Sequence, residues 1–182
     1  MYKLKQNGIY GKLLVILDSY LSNRQQRVVI NGFESNWGEI KSGVPQGSVL
    51  GPLLFLIYIN DLEVGIKSHI KFFADDTSLF SIIRDSATLA MELNHDLDLI
   101  STWAYNWKMS FNPDHSKQAV QMIFSRKRIK TNHPNIYFNE SKVQTVNEHK
   151  HLGLILDSKL TFASHINEKI TKAKKGLVLL NI

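Results

Sequence analysis

Residues 69–82 read HIKFFADDTSLFSI, in which two adjacent acids lie between short apolar runs. β-Branched and aromatic residues on both sides of a polar centre predict a β-hairpin whose turn carries Asp75 and Asp76. The apolar flanks are expected to leave little water around the two carboxylates. Because adjacent carboxylates repel each other, we expect them to hold a proton or a divalent cation. A solvated Asp-Asp turn is the alternative interpretation, and the hairpin by itself does not exclude it.

The composition is that of a globular domain. The chain has 182 residues, of which 43% are hydrophobic, enough for a real core. It contains no cysteine, which excludes disulfides and thiolate metal sites. The longest apolar run, 49–59, is too short to span a bilayer, and no signal peptide is evident. The sequence therefore predicts a cytoplasmic or nuclear protein that does not contact a membrane.

The net charge of +6 is unevenly distributed. Residues 1–100 carry 9 Lys and Arg against 11 Asp and Glu, whereas residues 101–182 carry 13 against 5. An acidic first part and a basic second part would suit a polyanion bound across both. An ordinary solvated basic surface explains the same counts equally well.

Periodicity and turn residues predict mixed secondary structure. Apolar spacing predicts amphipathic helices over 9–21, 86–107 (capped by Asp85 or Ser86) and 166–180. Strands are predicted over 119–125, over 136–138 and 142–146 as a hairpin, and over 151–157, the last with Gly153 at a close approach. Asn31-Gly32 predicts a type I′ hairpin turn, and 37–40 is expected to extend its return strand. Arg24 and Arg27 are expected to face solvent. Residues 53–62 are apolar nearly all round, which predicts a buried helix.

Residues 42–52 form a loop whose path is tightly specified, because they include three glycines and two prolines. Gly43 and Gly47 leave space for a ligand or another backbone to approach. Gln46 carries an amide that both donates and accepts, and Ser48 is expected to cap the following helix. The sequence therefore predicts a turn that faces a substrate.

Four blocks in this order resemble the reverse transcriptases of non-LTR (LINE-type) retrotransposons, particularly jockey-like elements. The blocks are GVPQGSVLGP at 43–52, YINDL at 58–62, FADD at 73–76 and HLG at 151–153. The resemblance covers nearly the whole chain. It implies an α+β fold, the palm of a right-hand polymerase, in which helices back an antiparallel sheet. Residues 1–157 would form a partial palm without fingers, and residues 158–182 would begin a helical thumb.

The resemblance also implies roles for individual residues. Asp75 and Asp76 match the acid pair that binds Mg²⁺ or Mn²⁺ and, with Lys117 as a proton donor to the pyrophosphate leaving group, would be catalytic. Further implied contacts are Pro45, Gln46 and Gly47 with the incoming nucleotide and template, Phe73 with the primer end, and His151, Leu152 and Gly153 as a primer grip.

The implied activity is RNA-directed DNA polymerisation, with an RNA template, a DNA primer and deoxynucleotides as partners. Nucleotide addition is an in-line displacement at phosphorus, in which two metal ions roughly 3.5–4 Å apart stabilise the attacking and leaving oxygens. Such ions prefer hard oxygen ligands, which a pair of aspartates supplies.

The family has a third catalytic carboxylate in an earlier block, which should precede Met1. Asp18 does not replace it, since no motif surrounds it. We therefore expect the fingers and the first catalytic aspartate to be absent, and the missing N-terminal part of the same polyprotein to be a possible partner. The lost strand would leave an apolar edge open on the hairpin, which favours aggregation or capture of another chain.

Two other classes of function compete with the polymerase interpretation. A non-catalytic nucleic-acid-binding remnant would bind nucleic acid with an affinity that falls steeply as the salt concentration rises and that Asp75→Ala does not change. A decayed gene remnant would melt without a cooperative transition. Another metal-dependent phosphotransferase, such as a nuclease, is disfavoured because no further acid cluster accompanies Asp75 and Asp76.

We predict that the 182-residue chain alone does not extend a primer, because one of the three family carboxylates is expected to be missing. The assay supplies a primed RNA template, deoxynucleotides and Mg²⁺ or Mn²⁺. Primer extension above that of the Asp75→Ala variant would contradict the prediction.

Overall fold

The computed structural model describes residues 1–111, 119–125 and 135–180, and it confirms a mixed helix and strand architecture. Its contacts divide the chain into two compact units. The first contains Met1–Val64 and Ile70–Leu79, and the second contains Gly65–His69 and Phe80–Ile182. None of the described helices is long and apolar enough to cross a membrane.

Three helices build the core of the first unit: α1 (Tyr2–Gln6), α2 (Gly11–Leu21) and α3 (Leu50–Ile59). α2 confirms the helix predicted over 9–21, whereas α1 is too short to show a periodic pattern. Each helix contributes one buried leucine to a shared cluster, Leu4, Leu17 and Leu54, with exposures of 5–7%. Burial of these side chains is the main favourable term that joins the three helices.

Lys3 adds a buried polar contact to this core. Its side chain is only 6% exposed, and its Nζ donates to the carbonyl oxygen of Tyr58 and to Oδ1 of Asp61, both at 2.5 Å. The same Nζ lies 4.8 Å from the centre of the Tyr58 ring. Burial, and secondarily the Asp61 charge, raises the pKa of Tyr58. The ion pair therefore fastens α1 to the end of α3.

The predicted hairpin at Asn31-Gly32 is confirmed. β2 (Val29–Ile30) pairs with β3 (Phe33–Glu34), and both turn residues have positive φ, 50° and 80°, as a type I′ turn requires. The return strand also continues as expected, because β4 (Gly38–Glu39) pairs with β1 (Gln25–Gln26). Between these two pairs of strands, residues 35–37 lie opposite residues 27–28. Because the two segments differ in length, the strand pairing is interrupted there.

α3 corrects the prediction of a fully buried helix. Gly51, Leu54 and Ile59 are buried, but Leu53 and Leu56 are 54% and 53% exposed. Apolar residues on all sides of a helix show that every face of the helix could be buried. They do not show how many other elements pack against it.

Two strands, β5 (His69–Phe73) and β6 (Asp76–Phe80), form the hairpin of the acid pair. The second unit continues with α4 (Ser86–Asn106), and the carboxylate of Asp85 caps it by accepting from Thr88 N at 2.8 Å. That bond is the first of several backbone hydrogen bonds that lower the pKa of Asp85. The predicted cap is confirmed, and the helix ends one residue before Trp107, the last apolar position of the predicted pattern.

The next four strands along the chain are short. They are β7 (Val120–Met122), β8 (Tyr137–Phe138), β9 (Ser141–Lys142) and β10 (Gln144–Val146). β8 and β9 form a hairpin, as predicted, but β10 leaves it and pairs with β7 in parallel. Ala90 of α4 is buried against Ile136 and Val143 in the core of this unit. The parallel pair departs from the antiparallel sheet expected from the resemblance.

The single strand predicted over 151–157 is wrong. β11 (Glu148–His151) and β12 (Leu154–Asp157) form a hairpin, and Leu152-Gly153 is its turn with φ of 48° and 81°. A Cβ placed on Gly153 would meet nothing within 4 Å. The glycine is therefore explained by the positive φ of the turn, rather than by a close approach.

α5 (Ala163–Leu180) packs on β12. Asp157 organises the connection, because its carboxylate accepts from the backbone N–H groups of Lys159, Thr161 and Phe162 at 2.7–3.0 Å. The imidazole of His165 also accepts from Ile155 N at 3.3 Å. The bond to His165 satisfies a donor of β12, and the bonds to Asp157 satisfy donors in the connection that follows the strand.

We predict that Gly51→Ala destabilises the first unit. The N-cap of α3 is Val49 rather than the expected Ser48, but Ser48 Oγ accepts from Gly51 N in the first turn at 2.9 Å. A Cβ on Gly51 would lie 2.9 Å from Pro45 O and from Ser48 Oγ. Overpacking against backbone should lower the free energy of unfolding by about 1–3 kcal/mol. Chemical denaturation measures it.

The matched control is Gly176→Ala in α5, where an added Cβ meets nothing within 4 Å. Alanine should be neutral there or raise the free energy of unfolding by up to about 1 kcal/mol through helix propensity. Equal effects of the two substitutions would contradict the close contact at Gly51.

We predict that Asp157→Ala destabilises the chain in a pH-dependent manner. Partial desolvation raises the pKa of Asp157, but the hydrogen bonds from Thr161, Phe162 and Lys159 outweigh it and leave the pKa below its ordinary value of 3.8. A lowered pKa in the folded state stabilises the fold above the unfolded-state value, and this contribution is lost as pH falls through the folded-state value.

The difference in free energy of unfolding between the two proteins should therefore be constant near neutral pH and should shrink below about pH 4. Urea titrations at several pH values measure it. Asp98→Ala, which removes an exposed carboxylate from α4, is the control and should have little effect at any pH. A difference for Asp157→Ala that does not change with pH would contradict the assignment.

Candidate functional site

The acid pair lies at the tip of the β5–β6 hairpin, as predicted. Ala74 and Asp75 form the two-residue turn, and Asp76 is the first residue of β6. Ala74 has φ of 51°, a left-handed conformation that costs a non-glycine residue roughly 1 kcal/mol. The two carboxylates are therefore adjacent along a sharply bent and locally strained backbone.

The expectation that little water surrounds the acids is wrong. Asp75 and Asp76 are both exposed, and so is the preceding Phe73, at 63%. The apolar flanks do not wall in the tip, because β5 and β6 pair only with each other among the described strands. The carboxylates face solvent, from which a cation or a nucleic-acid strand has direct access.

The donor set of this tip fits a divalent cation in part. Two carboxylates supply the hard oxygen ligands that Mg²⁺ prefers. Within the described ranges, no group of three or more His, Cys, Asp or Glu residues is placed to hold a metal. Since Mg²⁺ is usually bound by one or two carboxylates together with water and substrate phosphates, Asp75 and Asp76 match a site that substrate completes.

The loop of residues 42–52, hereafter the Gly-Pro loop, lines a cavity in the first unit. Gly43 and Gly47 have positive φ, 82° and 77°, which gives the loop its bends. Pro45 and Gln46 belong to the wall of an open cavity of about 510 Å³. Its other lining residues are Arg24, Gln25, Gln26, Ile40 and Val44. Amides, one guanidinium and an apolar patch therefore lie around a space of the size that a small ligand fills.

Arg24 braces this cavity, whereas the sequence suggested that it faces solvent. Its Nε donates to Leu21 O at 3.1 Å, and its Nη2 donates to the carbonyl oxygens of Gly43 and, at 3.5 Å, Ser42. The guanidinium thus joins the end of α2 to the loop, which lies almost twenty residues later in the sequence. No local sequence pattern predicts such a bond, because its acceptors are backbone carbonyls, which every residue has.

Arg27 also makes side-chain contacts, whereas the sequence suggested that it only faces solvent. It forms an ion pair with Glu34 across the hairpin, and its guanidinium lies 4.7 Å from the centre of the Trp37 ring. All three side chains remain near the surface. The contact stabilises the hairpin and leaves no reason to place Arg27 in the site.

The remaining site residues fall elsewhere. His151 ends β11, and Leu152 and Gly153 form the β11–β12 turn, with Leu152 50% exposed. This hairpin belongs to the second unit, whereas the acid pair and the Gly-Pro loop belong to the first. Lys117 lies outside the described residues, so its predicted role stays a prediction.

Comparison with known proteins identifies the family. The profile of the family described as "Reverse transcriptase (RNA-dependent DNA polymerase)" matches residues 2–156. The four sequence blocks, the acid hairpin and the Gly-Pro loop all lie within that range. No solved structure matches the chain.

Relatives from Drosophila melanogaster agree with this match. The "RNA-directed DNA polymerase from mobile element jockey" is 30% identical over 163 residues, which are 85% of this chain and 17% of that protein. The "Probable RNA-directed DNA polymerase from transposon X-element" is 33% identical over 164 residues, 87% of this chain and 18% of that protein.

A more distant relative from Nasonia vitripennis is the "Retrovirus-related Pol polyprotein from type-1 retrotransposable element R1 2", which is 21% identical over 145 residues, 74% of this chain and 34% of that protein. The chain thus spans less than a fifth of the jockey and X-element proteins. The resemblance to jockey-like retrotransposon enzymes is confirmed, and the chain belongs to the reverse transcriptase (RNA-dependent DNA polymerase) family.

Proposed function

We propose that this chain is part of the palm of an RNA-directed DNA polymerase, and that Asp75 and Asp76 bind the divalent cations of nucleotide addition. The observation that carries the proposal is the position of two adjacent carboxylates at the exposed tip of the β5–β6 hairpin, inside the segment that matches the family profile. Residues 1–157 form the palm portion, and residues 158–182 begin the thumb.

The cation is Mg²⁺, or Mn²⁺ in its place. When bound with substrate, it neutralises charge on the attacking and leaving oxygens of the phosphoryl transfer. The contribution of this chain is to hold two carboxylate groups next to each other at the hairpin tip. Their mutual repulsion disfavours the cation-free form, which raises the advantage of binding a cation there.

The cavity beside the Gly-Pro loop supports a contact with the template or the incoming nucleotide. Gln46 is exposed, Pro45 is half-buried, and both line the cavity with Gln25 and Gln26. Side-chain amides donate and accept hydrogen bonds, as base edges do. Gly47 allows the bend that presents Gln46.

Three further roles follow from the family alone. The exposed ring of Phe73 would contact the primer end, Lys117 would donate a proton to pyrophosphate, and the turn at His151, Leu152 and Gly153 would grip the primer. The partners are an RNA template, a DNA primer, deoxynucleotides and the remainder of a larger polypeptide. The matched segment is only 17–18% of each of these relatives, which supports the last of these partners.

We predict that the chain binds Mn²⁺ through the acid pair. Titration followed by the electron paramagnetic resonance signal of free Mn²⁺ measures the dissociation constant. The double variant Asp75→Asn with Asp76→Asn should bind at least about tenfold more weakly, because it removes both anionic ligands. Asp18→Asn, which neutralises an exposed carboxylate on α2 of the same unit, is the control and should bind as the unaltered chain does.

Equal affinity of the double variant and the control would overturn the metal assignment. Retention of primer–template binding by the double variant, with a steep dependence on salt, would favour the non-catalytic nucleic-acid binder instead. If the unaltered chain melts without a cooperative thermal transition, the result would favour the decayed remnant.

A further inference from the structure

The carboxylate of Asp96 has a role that neither the sequence motifs nor the family match assigns. Asp96 lies in the middle of α4 and is 0% exposed. Its Oδ1 accepts from Lys67 N at 3.0 Å, and its Oδ2 accepts from Ser68 N at 2.8 Å. Both oxygens of a fully buried carboxylate are therefore used on two consecutive backbone N–H groups.

Those two residues come immediately before β5, which begins at His69. Six residues separate Ser68 from Asp75, and five of them are the strand itself. One turn along α4, Leu99 packs on the same segment, because a Cβ added to Gly65 would lie 3.3 Å from Leu99 Cδ1. α4 therefore holds the backbone that leads into the acid hairpin at two points.

The base of the hairpin is also closed from the side of β6. The rings of His69 and Phe80, the first residue of β5 and the last of β6, stack with centroids 5.2 Å apart and an angle of 26° between their planes. Asp96 thus fixes the incoming backbone just before this stacked pair. A two-stranded hairpin is marginally stable by itself, so contacts at its base decide how well its tip is ordered.

We propose that Asp96 is a positioning residue, which orders the β5–β6 hairpin and thereby keeps the carboxylates of Asp75 and Asp76 ready to bind a cation. The last step rests on the proposed function, whereas the ordering of the hairpin does not. A buried carboxylate with hydrogen bonds to two backbone donors is costly to disturb, since loss of either bond leaves a buried polar group without a partner. Asparagine retains one acceptor oxygen but turns an N–H₂ group towards the second donor.

The test compares Asp96→Asn with two matched variants by hydrogen exchange of the 182-residue chain. Asn94→Ala removes, from the same helix, a side chain that accepts from Tyr137 N at 2.8 Å at the start of the β8–β9 hairpin. Ser68→Ala retains the backbone donor to Asp96 and removes only a hydroxyl. Residues 69–80 should exchange at least about fivefold faster in Asp96→Asn and at the unaltered rate in the other two.

The Mn²⁺ titration supplies the second readout. Asp96→Asn should weaken binding by about threefold to tenfold, because a smaller fraction of hairpins has the binding conformation. Asn94→Ala should loosen residues 137–142 and leave Mn²⁺ affinity unchanged. This contrast separates a positioning role from a general loss of stability.

Unchanged exchange of residues 69–80 in Asp96→Asn would overturn the proposal, and so would faster exchange spread evenly over the second unit. Faster exchange of the hairpin with unaltered Mn²⁺ affinity would overturn the link to the acid pair. If the unaltered chain binds no Mn²⁺, the proposed function fails, and the exchange data alone decide the ordering role. If Asp96→Asn does not fold, the unaltered chain still decides: slow exchange of Lys67 N–H and Ser68 N–H supports the role, and fast exchange refutes it.

Discussion

Backbone N–H groups at the open edges of strands are the constraint on which this structure depends. Among the described residues, each strand belongs to a two-stranded sheet, so a second edge of every strand has no ladder partner. Buried backbone donors without acceptors are costly, and side chains supply the acceptors here. The imidazole of His165 accepts from β12, the amide of Asn94 accepts from the start of β8, and the carboxylate of Asp96 accepts from the segment before β5.

The same constraint explains how a small number of polar side chains can have large effects on the architecture. α4 carries Asn94 and Asp96 two residues apart, and each holds the beginning of a different hairpin. Asp157 similarly organises the connection between β12 and α5, with backbone donors rather than cations as its partners. In each case the acceptor belongs to a helix or a strand. The donors to Asp96 and Asp157 lie outside the regular elements, whereas the donor to Asn94 is the first residue of β8.

Local signals predicted the parts of the fold that are local. The type I′ turn at Asn31-Gly32, the cap at Asp85 and the acid hairpin each depend on neighbouring residues, and each is observed. The Lys3–Asp61 ion pair joins residues far apart in sequence, and no periodicity predicts it. The strand expected around Gly153 is a turn, because glycine serves both positive φ and close approach, and the pattern does not distinguish them.

The candidate site divides in the same way. Its residue types and their order indicated the family, since four short blocks occur in the order that the family has, within the segment that the profile matches. Its environment was not predictable: exposure of the acid pair depends on how many strands flank the hairpin, and the support from Asp96 depends on a helix about twenty residues later. The bond from Arg24 to the Gly-Pro loop likewise required the tertiary structure.

The left-handed backbone at Ala74 has a consequence for the acid hairpin as a whole. A methyl group in that conformation opposes the bend, whereas a glycine would accept it freely but would also permit many other bends. The local sequence therefore predicts a hairpin here, as observed, but the turn conformation at its tip is one that alanine does not prefer by itself. If Asp96 orders the hairpin as we propose, the spacing of the charges at the tip depends on how firmly the base of the hairpin is anchored, and packing changes around α4 would reach the acid pair through the backbone.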